Sequence, residues 1–167
     1  MSFTRTFLLK LYKRTDGVLR YHEAWLNGET IYEHWGMVGE RGDTMEHTLL
    51  EGQGEEEAIL DILRPVADEG FRPIEIEDHV TLLIEYAVIG MGTVKDVTKR
   101  HSLEKRMNET LGWTGLGACD GGSIGSGTME VCCYVVDFDI AKRVIAADLA
   151  GTEFSNFTRI YNEAEDT

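Results

Sequence analysis

The chain is short of positive charge, of cysteine and of long apolar runs, and each shortage removes a class of function. Sixteen Lys and Arg face 30 Asp and Glu, a formal net charge of −14. Nucleic-acid affinity depends on basic side chains displacing counterions, so this balance argues against a broad phosphate-binding surface and leaves room only for a local basic patch. Three cysteines, Cys119, Cys132 and Cys133, do not build a disulfide framework or a metal signature, because vicinal residues in a strand point to opposite faces. That usage fits a reduced, cytoplasmic setting. The apolar run near the N-terminus is too short for a signal peptide, and no other run reaches membrane-spanning length, so a membrane is not expected as a partner.

What is present suits folding. With 167 residues and 43% hydrophobic content, the chain can build one ordinary domain or two small ones. The acidic excess is spread along it, as expected of a solvated surface.

In the first half, Phe3, Phe7, Leu9 and Leu11 alternate with polar residues and predict a half-buried strand from Phe3 to Tyr12. Turn chemistry at Thr15-Asp16-Gly17 and at Asn27-Gly28 separates it from strands at Val18 to Leu26 and Thr30 to Val38, an antiparallel meander. Gly39-Glu40-Arg41-Gly42-Asp43 reads as a further turn, and Thr44 to Leu50 as a fourth strand. A cover for the apolar face follows. Glu55-Glu56-Glu57 suits the positive end of a helix dipole, and Ala58, Ile59, Ile62, Leu63 and Val66 form a stripe at helical spacing. Pro65 within that stripe costs a backbone hydrogen bond, and Gly70 followed by Phe71 forms a stop.

Trp35-Gly36, then Gly39 and Gly42, then an acidic-start helix closing on Gly70-Phe71, resembles the WGR domain family, named for a Trp-Gly-Arg tripeptide. The resemblance spans residues 3 to 72 and implies a sheet with one covering helix. Family members include standalone bacterial proteins and modules of poly(ADP-ribose) polymerases, where the tryptophan and the tripeptide arginine help hold DNA ends. Here Met37 stands in the arginine's place, and a thioether makes no forked hydrogen bonds to phosphate. The DNA role is therefore not carried over with the fold. Trp35, Gly36 and Arg41 remain the candidate binding residues of this module, residues 1–72.

Residues 73–78 read as a short linker, and residues 79–167 as a second module. Val80 to Ile89 is near-continuously hydrophobic, as a central strand requires. Thr93 to Leu111 is mostly helix, its start placed anywhere up to His101, and Lys95, Lys99, Arg100, Lys105 and Arg106 make it the basic concentration of the chain. Mixed-sign neighbours mark this as a solvated face. Seven of the 18 glycines lie between Gly112 and Gly127. They form no phosphate cradle, because Asp120 takes the place of the third fingerprint glycine and a strand follows. A lone Asp120 makes no calcium loop either. A glycine-rich strand and hairpin leading into Met129 to Val136 is expected, with glycines that leave space for a ligand's approach; Asp120, Gly121 and Gly122 are the candidate binding residues there. Asp137 then caps a helix, and a last strand runs from Phe154 to Tyr161. The order β-α-β-β-α-β is that of ferredoxin-like folds, so the fold class is α+β.

No catalytic set, metal site or cofactor follows from these residues. His22 and His34 are expected as cross-strand neighbours with His47 nearby, an arrangement able to bind metal but lacking a motif for it. Cys119 has no local acid-base partner, and Ser123 and Ser126 lie outside a nucleophile elbow. The expected function is a noncatalytic binding or interaction protein for a protein or nucleotide-type ligand. The alternative is a small enzyme acting near Asp120 at the junction of the modules, and DNA-end binding is the third reading.

Overall fold

The computed structural model describes residues 8–166. The sequence reading at Phe3 and Phe7 lies outside them. Two compact units divide the chain, Met1–Ile74 and Glu75–Thr167. The fold is α+β, with an antiparallel four-stranded sheet in each unit.

In the first unit β1 (Leu8–Thr15), β2 (Val18–Asn27), β3 (Thr30–Met37) and β4 (Asp43–Thr48) lie in the order β1-β2-β3-β4. Asp16 and Gly17 both take positive φ between the paired Thr15 and Val18, the two-residue turn whose twist matches the strands. The second turn differs by one residue from its sequence reading. Asn27 pairs with Thr30, so the turn residues are Gly28, at φ 67, and Glu29. Asparagine is kept in the ladder because glycine at the first turn position already supplies the left-handed backbone.

Helix α1 (Glu55–Asp68) lies on the face carrying Leu11, Ala24 and Ile31, into which it buries Ala58, Ile59, Leu63 and Val66. It runs through the exposed Pro65, which has no N–H to donate to the carbonyl of Asp61 and so leaves the ladder one bond short. Its end closes as expected: Gly70 takes φ 103, with Gly70 N–H donating to Ala67 O at 3.0 Å and Phe71 N–H to Val66 O at 3.4 Å.

The second unit holds β5 (Val80–Ala87), α2 (Val94–Trp113), β6 (Gly117–Gly125), β7 (Thr128–Val135), α3 (Phe138–Leu149) and β8 (Arg159–Asn162). Its sheet order is β6-β7-β5-β8 with every neighbouring pair antiparallel. The strands joined by α2, β5 and β6, are therefore parallel with β7 between them. The strands joined by α3, β7 and β8, are parallel with β5 between them. Two interleaved split β-α-β units are the ferredoxin-like arrangement. Leu82, Ile84, Tyr86, Met129, Val131, Cys133 and Val135 form its buried sheet face, met by Leu103, Met107 and Leu111 of α2 and Ala141, Ile145 and Leu149 of α3.

α2 begins at Val94, at the early end of the range read for its start, because Thr93 and Asp96 cap each other's backbone N–H reciprocally. One boundary is corrected. β8 begins at Arg159, five residues later than Phe154, whose carbonyl is occupied by the Tyr86 hydroxyl at 2.7 Å and which stands in a turn.

Burial of phenols gives this fold an alkaline limit. Tyr86 is held above the ordinary phenol range by burial, and Tyr12 and Tyr21 by burial and then the charge of Glu23. A raised folded-state value means stability that is present below the unfolded phenol value, about 10, and lost as pH climbs toward the folded values. Denaturant midpoints should hold level up to pH of about 9 and fall beyond 10, while tyrosinate absorbance lags that of free tyrosine. A full, unshifted phenolate titration with the fold intact would contradict this.

Candidate functional site

The stretch from Trp35 to Gly42 is shaped by backbone contact. Beyond β3 the chain turns at Gly39, at φ 101, with Glu40 N–H donating to Met37 O at 3.0 Å, and comes back over the strand. A Cβ on Gly36 would stand 2.9 Å from Gly42 Cα, and one on Gly42 would stand 2.0 Å from Trp35 O. The glycine spacing thus serves a close crossing of two backbones.

That crossing covers a buried polar cluster on the sheet face opposite α1. His34 is fully buried, and Glu23, directly across from it on β2, is 3% exposed. His34 Nδ1 and Glu23 Oε1 lie 2.7 Å apart, and Lys10 Nζ approaches the other carboxylate oxygen at 3.2 Å. His34 Nε2 donates to Arg41 O, since a carbonyl only accepts, and the Tyr21 hydroxyl donates to Glu40 O at 2.7 Å. Arg41 therefore contributes its backbone here, and its side chain is exposed. Burial without orphaned groups is the condition for such a cluster.

The other face presents the accessible chemistry. Its register places His22 opposite Trp35 and Arg20 opposite Met37. The His22 and Trp35 rings stack with centroids 5.5 Å apart, and Phe71 meets His22 edge-on at 6.1 Å. Glu33 bridges two imidazoles: His22 Nε2 donates to one oxygen at 2.7 Å and His47 Nε2 to the other at 2.8 Å. These side chains keep 17%, 14% and 32% exposure for His22, Glu33 and His47. With both Nε2 protons held by Glu33, a neutral ring turns an Nδ1 acceptor away from the carboxylate. Beside His47, a groove of about 340 Å³ is lined by Ile31, Leu50, Ala58 and Ile62 among others.

The histidine expectation is overturned in its geometry. A two-residue turn makes the numbers of facing residues add to an odd sum, so His22 and His34, both even, occupy opposite faces. Among the described residues no three His, Cys, Asp or Glu side chains form a group able to hold a metal. The residues that sequence reasoning missed are Glu23, Glu33 and Arg20, and the odd-sum rule applied to the Gly28 turn was the signal for their faces.

In the second unit Asp120 and Gly121 occupy the bulge between Cys119 and Gly122, where β6 slips against β7. Both are exposed, as is Gly122. Gly121 takes φ 83, and a Cβ on Gly122 would stand 2.2 Å from Glu130 O, so these glycines answer to backbone geometry.

No protein-family model matches the chain, and no curated protein or solved structure matches it either.

Proposed function

We propose that this protein is a noncatalytic binding protein whose first unit, WGR-like by the order of its motif and elements, takes a protein or nucleotide-type ligand on the Trp35 face. One observation carries the reading: an accessible aromatic pair, Trp35 on His22, stands beside the Glu33 carboxylate held between two imidazoles, on sheet surface outside the α1 core. A flat aromatic surface ringed by fixed donors and acceptors suits a planar or amphipathic ligand group. Glu33 positions both imidazoles, and Trp35 supplies the contact area.

A nucleic-acid ligand has its own support in Arg20. It lies exposed directly across from Met37, so a guanidinium stands on the same face as Trp35, one strand away from the position of the family's arginine. The net charge of −14 opposes it.

Titrating the isotope-labelled chain with a nucleoside monophosphate and with blunt-ended duplex DNA, and fishing for proteins with the immobilised chain, tests the reading. Shifts or retention should centre on His22, Glu33 and Trp35, and Trp35→Ala should weaken binding about tenfold or more, near 1.4 kcal/mol. Binding to duplex ends that collapses with added salt and with Arg20→Ala selects the nucleic-acid form. Ligand capture that survives Trp35→Ala unchanged overturns the site.

A further inference from the structure

The cysteines supply the observation that the binding reading does not use. Cys119 on β6 and Cys133 on β7 are direct cross-strand partners, and both are buried on the helix-covered side of the sheet. Cys132 alternates to the other face and is kept from either. Antiparallel pairs come in two kinds, and the kind here follows from the hydrogen bonds. Cys119 N–H is turned away from β7 and donates to Asn108 Oδ1 at 2.8 Å, while Val136 N–H donates to Leu116 O at 2.9 Å three pairs along. Alternation from Leu116 makes Cys119 and Cys133 a non-hydrogen-bonded pair. In such pairs the Cα atoms lie about 4.5 Å apart and the side chains are at their closest. That falls at the near end of the range a disulfide spans, about 4.4 to 6.8 Å.

We propose that Cys119 and Cys133 form an oxidation site, a buried dithiol that hydrogen peroxide converts into a cross-strand disulfide. Cys133 is fully buried, and its thiol is pushed up by its hydrogen bond with Cys119 and then by burial, so it reacts second. Cys119, 7% exposed on the edge strand beside the bulge, reacts first. Its sulfur attacks the peroxide, the O–O bond breaks, and a sulfenic acid and one water form. The Cys133 sulfur then attacks the Cys119 sulfur, the S–O bond breaks, and a second water leaves with the Cys133 proton. Two electrons pass from the thiols to the peroxide. The bulge next to Cys119 gives the backbone latitude to close the bond, and the product ties β6 to β7 immediately before Asp120, Gly121 and Gly122.

The test exposes the whole chain to a modest excess of hydrogen peroxide, quenches it, and counts free thiols after denaturation. The three free thiols of the reduced chain should fall to one, with a mass loss of two hydrogens, a Cys119–Cys133 linked peptide, and full recovery on reduction. Cys132→Ser should give the same linked peptide with no thiol left, and Cys119→Ser no intramolecular link. Persistence of all three thiols under conditions that oxidise free cysteine overturns the proposal. So does a link through Cys132, a link between chains, or over-oxidation of Cys119 without a link.

Discussion

Gly42→Ala should cost the N-terminal unit on the order of 4 kcal/mol, enough to unfold a unit of ordinary stability. Two separate costs add. At φ 65 an alanine is in left-handed backbone, a penalty of about 1–2 kcal/mol. Its Cβ would also stand 2.0 Å from Trp35 O and 2.8 Å from Trp35 C, and a backbone carbonyl has no rotamer to retreat into. The returning loop must lift from β3, and it takes with it the carbonyls of Glu40 and Arg41 that accept from Tyr21 and His34. Gly28→Ala separates the two costs, since Gly28 has φ 67 and nothing within 4 Å of its Cβ. It should lose only about 1 kcal/mol. Urea titrations read by tryptophan fluorescence compare the variants, Trp25 and Trp35 both reporting on this unit. Equal losses at the two positions would show that the close crossing is not what requires glycine.

Glu23→Ala should be nearly as damaging, at about 3–5 kcal/mol, because it strands the fully buried His34 and takes the ion-pair partner from the half-buried Lys10. Lys10 Nζ at 3.2 Å and His34 Nδ1 at 2.7 Å both lose the carboxylate, and the His34 side chain, fully buried, has no water to replace it. Removing all three polar groups together, as Lys10→Met, Glu23→Met and His34→Leu, should recover much of the loss, since the penalty lies in the unpaired groups. Glu33→Ala makes the contrast. It also bridges two partners, but those imidazoles keep 17% and 32% exposure where His34 has none, so about 1 kcal/mol or less is expected. Chemical denaturation of the three variants decides the matter: Glu33→Ala proving as costly as Glu23→Ala would mean that burial does not set the difference.

Local features were the most legible. The acidic start of α1, its apolar stripe and the Gly70-Phe71 stop all stand as read, because each depends on residues within one or two turns of one another. The Asp137 cap of α3 is of the same kind, its Oδ1 accepting from Ile140 N–H at 2.9 Å. The Thr93 to Asp96 capping pair is equally local and fixes the start of α2 at the early end of the range that the sequence leaves open. At β8 the miss has a non-local cause. The alternation around Phe154 is real, but Tyr86, remote in sequence, takes the Phe154 carbonyl and holds that segment in a turn.

The site was legible only by halves. Trp35 and Gly36 stand out in the sequence as binding candidates; in the fold Gly36 answers to the approach of Gly42, and Trp35 stacks on His22. Arg41, the third candidate of this module, contributes its carbonyl to the buried cluster.

Apart from the segment at Phe154, the sequence by itself determined which segments become strand or helix, the split β-α-β order of the second unit, and the faces on which alternating residues lie. Those properties follow from backbone propensities and from side-chain periods of two and 3.6, which need no distant partner. Tertiary structure alone decided which carboxylate meets which imidazole, that Arg20 stands across from Met37, and that Cys119 stands across from Cys133. Each depends on register, set by the length and handedness of a turn and by a bulge, so one residue more in any of these connections would hand every partner to a different neighbour.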